Sequence, residues 1–109
     1  MTRIELGKIK SASFGWGGYG DGMVGVTFDL GGVAWGVGDH WGAWGIEHTQ
    51  YCKWTEDERL RQLGEVCMRL AKVLTQAKKT DVAELRGTPV EVTFDENKLV
   101  SWRVLEEVL

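Results

Sequence analysis

His40, His48, Cys52 and Cys67 are the side chains best equipped to hold a metal ion or attack a carbonyl, and their spacing serves neither purpose. A zinc centre wants closely spaced ligand pairs of the C-x-x-C or H-x-x-x-H kind, and none occurs. Cys67 falls in an apolar helical stripe, where a thiol acts as a small hydrophobe. Cys52 with His40 or His48 and Asp39 has the groups of a nucleophilic triad, yet Asp39 and His40 are adjacent and no elbow motif frames the cysteine. The carboxylate pairs Asp95-Glu96 and Glu106-Glu107 lie at a turn and at the carboxyl end, where charge is ordinarily solvated. "FGWGGYGDG" at 14–22 resembles a phosphate cradle only in its glycines: it lacks the Lys-Ser/Thr of a P-loop and leads into no helical pattern. No catalytic residue, metal ligand or cofactor is therefore expected, and a hydrolase using His40 or His48 stands last among the readings.

Recognition chemistry is better represented. From Ser11 to Cys52, forty-two successive residues contain no lysine or arginine, while carrying Asp21, Asp29, Asp39, Glu47 and four of the six tryptophans. Aromatic faces fringed with carboxylates suit cations, guanidinium groups or a basic protein surface, and tryptophan is enriched at interface hot spots. The candidate partner-binding set is Trp16, Tyr19, Asp21, Asp39, His40, Trp41, Trp44 and Glu47. The competing role for these indoles is to fill a core while glycines let the bulky rings pass. Trp35 shares a parity with Val33 and Val37 and is expected in the core, whereas Trp41 and Trp44, in "GDHWGAWG", fit either role. Residues 33–38 are thus expected to be architectural and 39–48 to carry recognition.

The elements that must position these residues divide at the middle of the chain. "MVGVTFDL" alternates, with Val24, Val26, Phe28 and Leu30 on one face, and Gly31-Gly32 has the freedom a tight hairpin needs before "VAWGVG" returns. Residues 3–14 read as an earlier strand with a bulge or break near Gly7. Thr55 followed by Glu58 is a capping box, and Leu60, Leu63, Cys67, Leu70, Leu74 and Ala77 recur at helical spacing, so a helix over about 56–78 is expected. Gly64 beside that stripe predicts close approach to a sheet. Asp81 with Glu84 marks one further turn closed by Gly87. Thr88, Val90, Val92 and Phe94 then alternate, "DENK" turns the chain, and Val100, Trp102 and Val104 return. The expected fold is α+β, in the order β-β-β-α-β-β, with an antiparallel sheet of about five strands packed on one long amphipathic helix.

With 109 residues the chain has room for one domain spanning 1–109, and 43% hydrophobic and 27% charged residues are ordinary for a globular protein. A net charge of −3 disfavours binding to a DNA backbone. No apolar run approaches the length of a membrane-spanning helix, and "MTRIELGKIK" lacks the apolar stretch of a signal peptide, so a cytoplasmic location is expected.

"GYGDGMVGVTFDLGG", "CMRLAKVLTQAKKTDVAELRGTPVEV" and "NKLVSWRVLEEV" together resemble a group of small proteins encoded by bacteriophages and prophages, over most of residues 4–105. The stretch from 35 to 54 is more aromatic here, and the ending more acidic, than in that group. The resemblance carries no activity. What it implies is a setting: a non-enzymatic accessory protein in the bacterial cytoplasm that binds and inhibits a host protein, a defence effector of the anti-CRISPR-targeted kind being one such target. A small-molecule or nucleotide sequestering protein, and a structural or assembly protein of the virion, are the alternatives. An unpaired edge of a glycine-rich sheet also leaves a homodimer open.

Overall fold

Thr2–Gly17 forms one strand, β1, of sixteen residues, and the rest of the sheet is hung on it. The computed structural model describes residues 1–17, 22–45 and 53–109. Met23–Gly31 (β2), Gly36–Trp44 (β3), Glu56–Ala77 (α1), Pro89–Asp95 (β4) and Lys98–Val104 (β5) follow. Every neighbouring pair is antiparallel, in the order β3-β2-β1-β4-β5, so the chain has the α+β architecture expected of it.

β1 is shared lengthwise: residues 2–8 pair with β4 and residues 8–17 with β2. The irregularity lies between Ile9 and Ser11 and not near Gly7. One inserted residue, Lys10, shifts the alternation, so Ile9 shares its face with Ala12, Phe14 and Trp16. The bulge is fastened from the side, because the Ile9 amide donates to the Thr88 carbonyl (2.9 Å) and the Gly87 amide to the Ile9 carbonyl (2.7 Å). Gly87, at φ +90°, makes the turn that brings this about, after a 3-10 turn at Val82–Leu85 capped by the Asp81 carboxylate.

A bulge bends its strand, and the register shows how far. Trp41 lies opposite Val26, which lies opposite Phe14; Trp102 lies opposite Val92, which lies opposite Glu5. Nine residues of straight β1, roughly 30 Å at the usual rise, would separate Phe14 from Glu5, yet the Trp41 and Trp102 rings are 5.4 Å apart between centroids. The sheet therefore curls across β1 until its two edge strands, β3 and β5, meet through their side chains. Ile9, Val26, Phe28, Leu30, Val90 and Val92 fill the inside of the curl, with Leu85 against them.

α1 keeps the expected cap: Thr55 Oγ1 accepts from the Glu58 amide at 3.1 Å, and the helix ends as Lys78 turns left-handed at φ 60°. The buried face differs from the expected stripe. Val66, Val73 and Ala77 are buried with Leu70 and Leu74 packed beside them, whereas Leu60 and Cys67 face outward. The apolar sector is wider than the sheet beneath it, so its centre is set by what the curl presents. A Cβ on Gly64 would meet nothing within 4 Å beyond its own helix, which removes the expected close approach to the sheet there.

The two hairpins turn differently from each other. Glu96 and Asn97, at φ 49° and 71°, make the two-residue turn that "DENK" foretells. A slip between Thr93 and Phe94 then sets Leu99 opposite Phe94, so Val100 is exposed and does not join Trp102 and Val104 on one face. Gly31-Gly32 is not a tight turn. Gly31 pairs with Gly36 around a four-residue connection, Gly32–Trp35, closed by the Gly32 amide on the Trp35 carbonyl (3.0 Å). Val33 therefore sits exposed at a turn tip and not on a strand beside Val37. Gly32 serves space, not a positive φ: a Cβ there would stand 2.2 Å from Trp35 Nε1. Trp35 reaches the core as expected, edge-on to Phe94.

Candidate recognition surface

Of residues 39–48, expected to carry recognition, 39–45 are described, and 39–44 lie within β3. Asp39, His40, Trp41 and Trp44 all belong to β3. Trp41 is only 8% exposed; the alternation of β3 turns it toward Val26 and Ala43 into the curl. Its indole N–H donates to Asp39 Oδ2 at 2.8 Å, and the same oxygen accepts the Trp102 N–H, also at 2.8 Å. The two rings stack at an interplanar angle of 16°, with Phe28 edge-on to both. One carboxylate thus fastens the two edges of the sheet. Above them the Arg69 guanidinium of α1 lies 4.0 Å from the Trp41 ring centroid. The cation that this aromatic, acidic segment would otherwise recruit is supplied by the chain itself. What remains of this seam is a cleft of about 300 Å³ lined by Asp39, His40, Trp41, Arg69, Leu99 and Trp102, among others.

His40 points to the other face of β3. Its Nδ1 lies 2.8 Å from Thr27 Oγ1, and its Nε2 is buried with no hydrogen-bond partner among the described residues. The ring occupies room left by glycine, since a Cβ on Gly42 would fall 2.5 Å from Nε2. Trp44 is half-buried and stacks on Trp54 at 4.8 Å, and its carbonyl accepts from Arg59. Tyr19, Asp21 and Glu47 of the candidate set, and His48 and Cys52 of the metal and triad readings, lie outside the described residues. Among the described residues no three His, Cys, Asp or Glu side chains gather as metal ligands would.

Trp16 behaves otherwise. Alone among the described tryptophans it has neither a ring partner nor an acceptor for its N–H among the described residues. It is 65% exposed, resting over Gly45, where a Cβ would stand 2.1 Å from the ring. Phe14, two residues back on the same face, is 55% exposed. Both continue the core row Ile9–Ala12 on the inner face, where the Lys10 bulge keeps them, while α1 packs mainly on β3 and β2 and not on β1. Phe14 was not among the sequence candidates, and the signal for it is one of parity: only a strand carrying an extra residue near position 10 puts Phe14 and Trp16 in register with Ile9.

Comparison with family models, with curated proteins and with solved structures finds no match to this chain. Among the described residues no helix is long and apolar enough to cross a membrane.

Proposed function

We propose that this is a non-enzymatic binding protein that occupies a partner protein through the Phe14–Trp16 face of β1. In the setting implied by its resemblance to phage-encoded proteins, the partner is a host protein, a defence effector being the favoured kind, and occupation inhibits it. The observation that carries the reading is a tryptophan and a phenylalanine left open side by side, in a protein whose other described tryptophans are all engaged. Aromatic side chains of this kind supply large contact area for little lost conformational freedom. The surrounding segment has no lysine or arginine, so the complementary partner surface carries cations, an arginine able to lie on the Trp16 ring above all. Trp41 and Asp39 belong to the scaffold in this reading, and Trp44 to its margin.

The test is affinity capture from a bacterial host by the wild-type protein and by Phe14→Ala/Trp16→Ala. A host protein retained by the wild type and lost by the variant, with the thermal midpoint nearly unchanged, is the expected result. Trp41→Ala is the contrast, expected to lose about 3–5 kcal/mol of stability as a large buried ring is removed. Equal capture by the double variant, or no capture by the wild type, would overturn the proposal.

A further inference from the structure

Where β1 bulges, the β2–β3 connection comes up on one side and the Arg86–Gly87 turn on the other, and a groove of about 720 Å³ lies between them. Its lining includes Leu6, Lys8, Lys10, Gly31, Val33 and Arg86, and no carboxylate. That is unusual ground for a chain with a net charge of −3. The ion pairs among the described residues are made by the amino terminus, Arg3, Arg59 and Arg103, so Lys8, Lys10 and Arg86 line the groove without an ion pair of their own. Lys10 is aimed there by packing, its stem crossing Gly31 where a Cβ would stand 2.4 Å from Cε. Between the cations the surface is apolar, with Leu6 64% exposed and Val33 wholly so.

Three features narrow the ligand. The groove lies largely open to solvent, and its volume leaves room for a small molecule laid along it. β1 is an interior strand whose backbone is paired with β2 and β4 and, at Ile9, with Gly87 and Thr88, so no peptide can add to it as a further strand. The cations surround an apolar bed, so the complement has a negative head and a hydrocarbon body. We propose that this groove binds a free single-chain anionic amphiphile, with its carboxylate or phosphate head held by Lys8, Lys10 and Arg86 and its chain laid over Leu6 and Val33. The site is separate from the Phe14–Trp16 face, eight residues along β1 from Lys8 to Trp16 and on the other side of the strand.

The probes are decanoate and decyl phosphate below their micelle concentrations, decyltrimethylammonium as the cationic control, and phosphatidylglycerol vesicles to separate a free ligand from a lipid surface. Backbone amide shifts are followed by NMR. Both anions should move resonances of residues 6–10, 31–33 and 86–87, more weakly as salt screens the charges, and the cation should not. Lys8→Glu/Lys10→Glu, both exposed, should lower the anions' affinity at least tenfold without moving the thermal midpoint, and Leu6→Ser/Val33→Ser should weaken it with the cations intact. Equal shifts with decyltrimethylammonium, undiminished binding by Lys8→Glu/Lys10→Glu, or binding to vesicles without any response to the monomers, would each overturn the proposal.

Discussion

Replacing Asp39 with alanine removes the one acceptor that joins β3 to β5. Two indole N–H groups, on Trp41 and Trp102, each donate to Asp39 Oδ2 at 2.8 Å, and neither has another acceptor among the described residues. A hydrogen bond to a charged group contributes about 1.5–3 kcal/mol, and a buried donor left without its partner costs about 1–3 kcal/mol. Trp41 is buried, but Asp39 and Trp102 are only half so, and water reaching them recovers part of the loss. The expected destabilisation is therefore about 2–4 kcal/mol, a large share of the roughly 5–15 kcal/mol that holds a domain folded. Urea unfolding followed by tryptophan fluorescence measures it, and near-UV circular dichroism reports the stacked Trp41–Trp102 pair directly. Asp39→Asn keeps a carbonyl acceptor and loses the charge, so it should cost about 1–2 kcal/mol. In a cycle with Trp102→Phe the two losses should fall short of adding, since each removes the same bond. If Asp39→Ala costs under about 0.5 kcal/mol and leaves the near-UV spectrum intact, the edges are held by something other than this carboxylate.

Two glycines of opposite surroundings give a sharp pair of tests. A Cβ on Gly25 would lie 1.9 Å from the Trp41 carbonyl oxygen, which as backbone cannot step aside, so Gly25→Ala should destabilise by about 2 kcal/mol or more; Gly64, on α1 with open space around it, should stabilise by about 0.5–1 kcal/mol as alanine, both read from urea midpoints. At the carboxyl end, hydrogen bonds from Arg103 hold the Glu107 carboxyl below its ordinary value, aided by a backbone hydrogen bond. A lowered folded-state value means that Glu107's contribution is present above the ordinary carboxylate range and is lost as pH falls through the lowered value. Carbon-13 NMR titration of the Glu107 carboxyl should show that depressed midpoint, and Arg103→Gln should raise it toward the ordinary range, the backbone hydrogen bond remaining; an unchanged midpoint would remove Arg103 as the cause.

The local signals were legible because the physics behind them is local. Thr55 and Glu58 lie within one helical turn and cap α1 with no help from the rest of the chain, and Asn97 tolerates the left-handed φ its turn requires. β4 was legible because it alternates without interruption between a buried and an open face, and β2 because its apolar residues Val26, Phe28 and Leu30 alternate into the core even though glycines beside them are buried too. What failed had its cause elsewhere in the chain. Gly7 signalled an irregularity in β1, but nothing local placed the extra residue at Lys10, because the bulge is fastened by Gly87 and Thr88, far along the sequence. Gly31-Gly32 looked like a tight turn, but the space its glycines provide is taken by Trp35, whose ring must lie under the connection. The helix stripe was read around Cys67, while Val66 and Val73 meet the sheet because its curl presents the core one step round the helix.

The same distinction decides what an acidic, tryptophan-rich segment means. An indole offers two recognition features, a face that attracts cations and an N–H that seeks an acceptor, and both can be met inside the protein. Trp41 has Arg69 on its face and Asp39 on its N–H, so the residues that advertise a basic partner are spent on each other. Asp39 lies two residues away on the same strand face, close enough to have been foreseen, but Trp102 lies sixty-three residues from Asp39 and Arg69 sits on another element. Only the curl brings them together. Trp16 has the same indole and the same acidic neighbourhood in sequence, and it stays open on β1 while α1 packs mainly on β3 and β2. The recognition surface proposed for this fold is accordingly set less by which residues are aromatic than by the face to which the Lys10 bulge assigns Phe14 and Trp16, which is why moving the bulge, and not merely trimming a ring, should displace it.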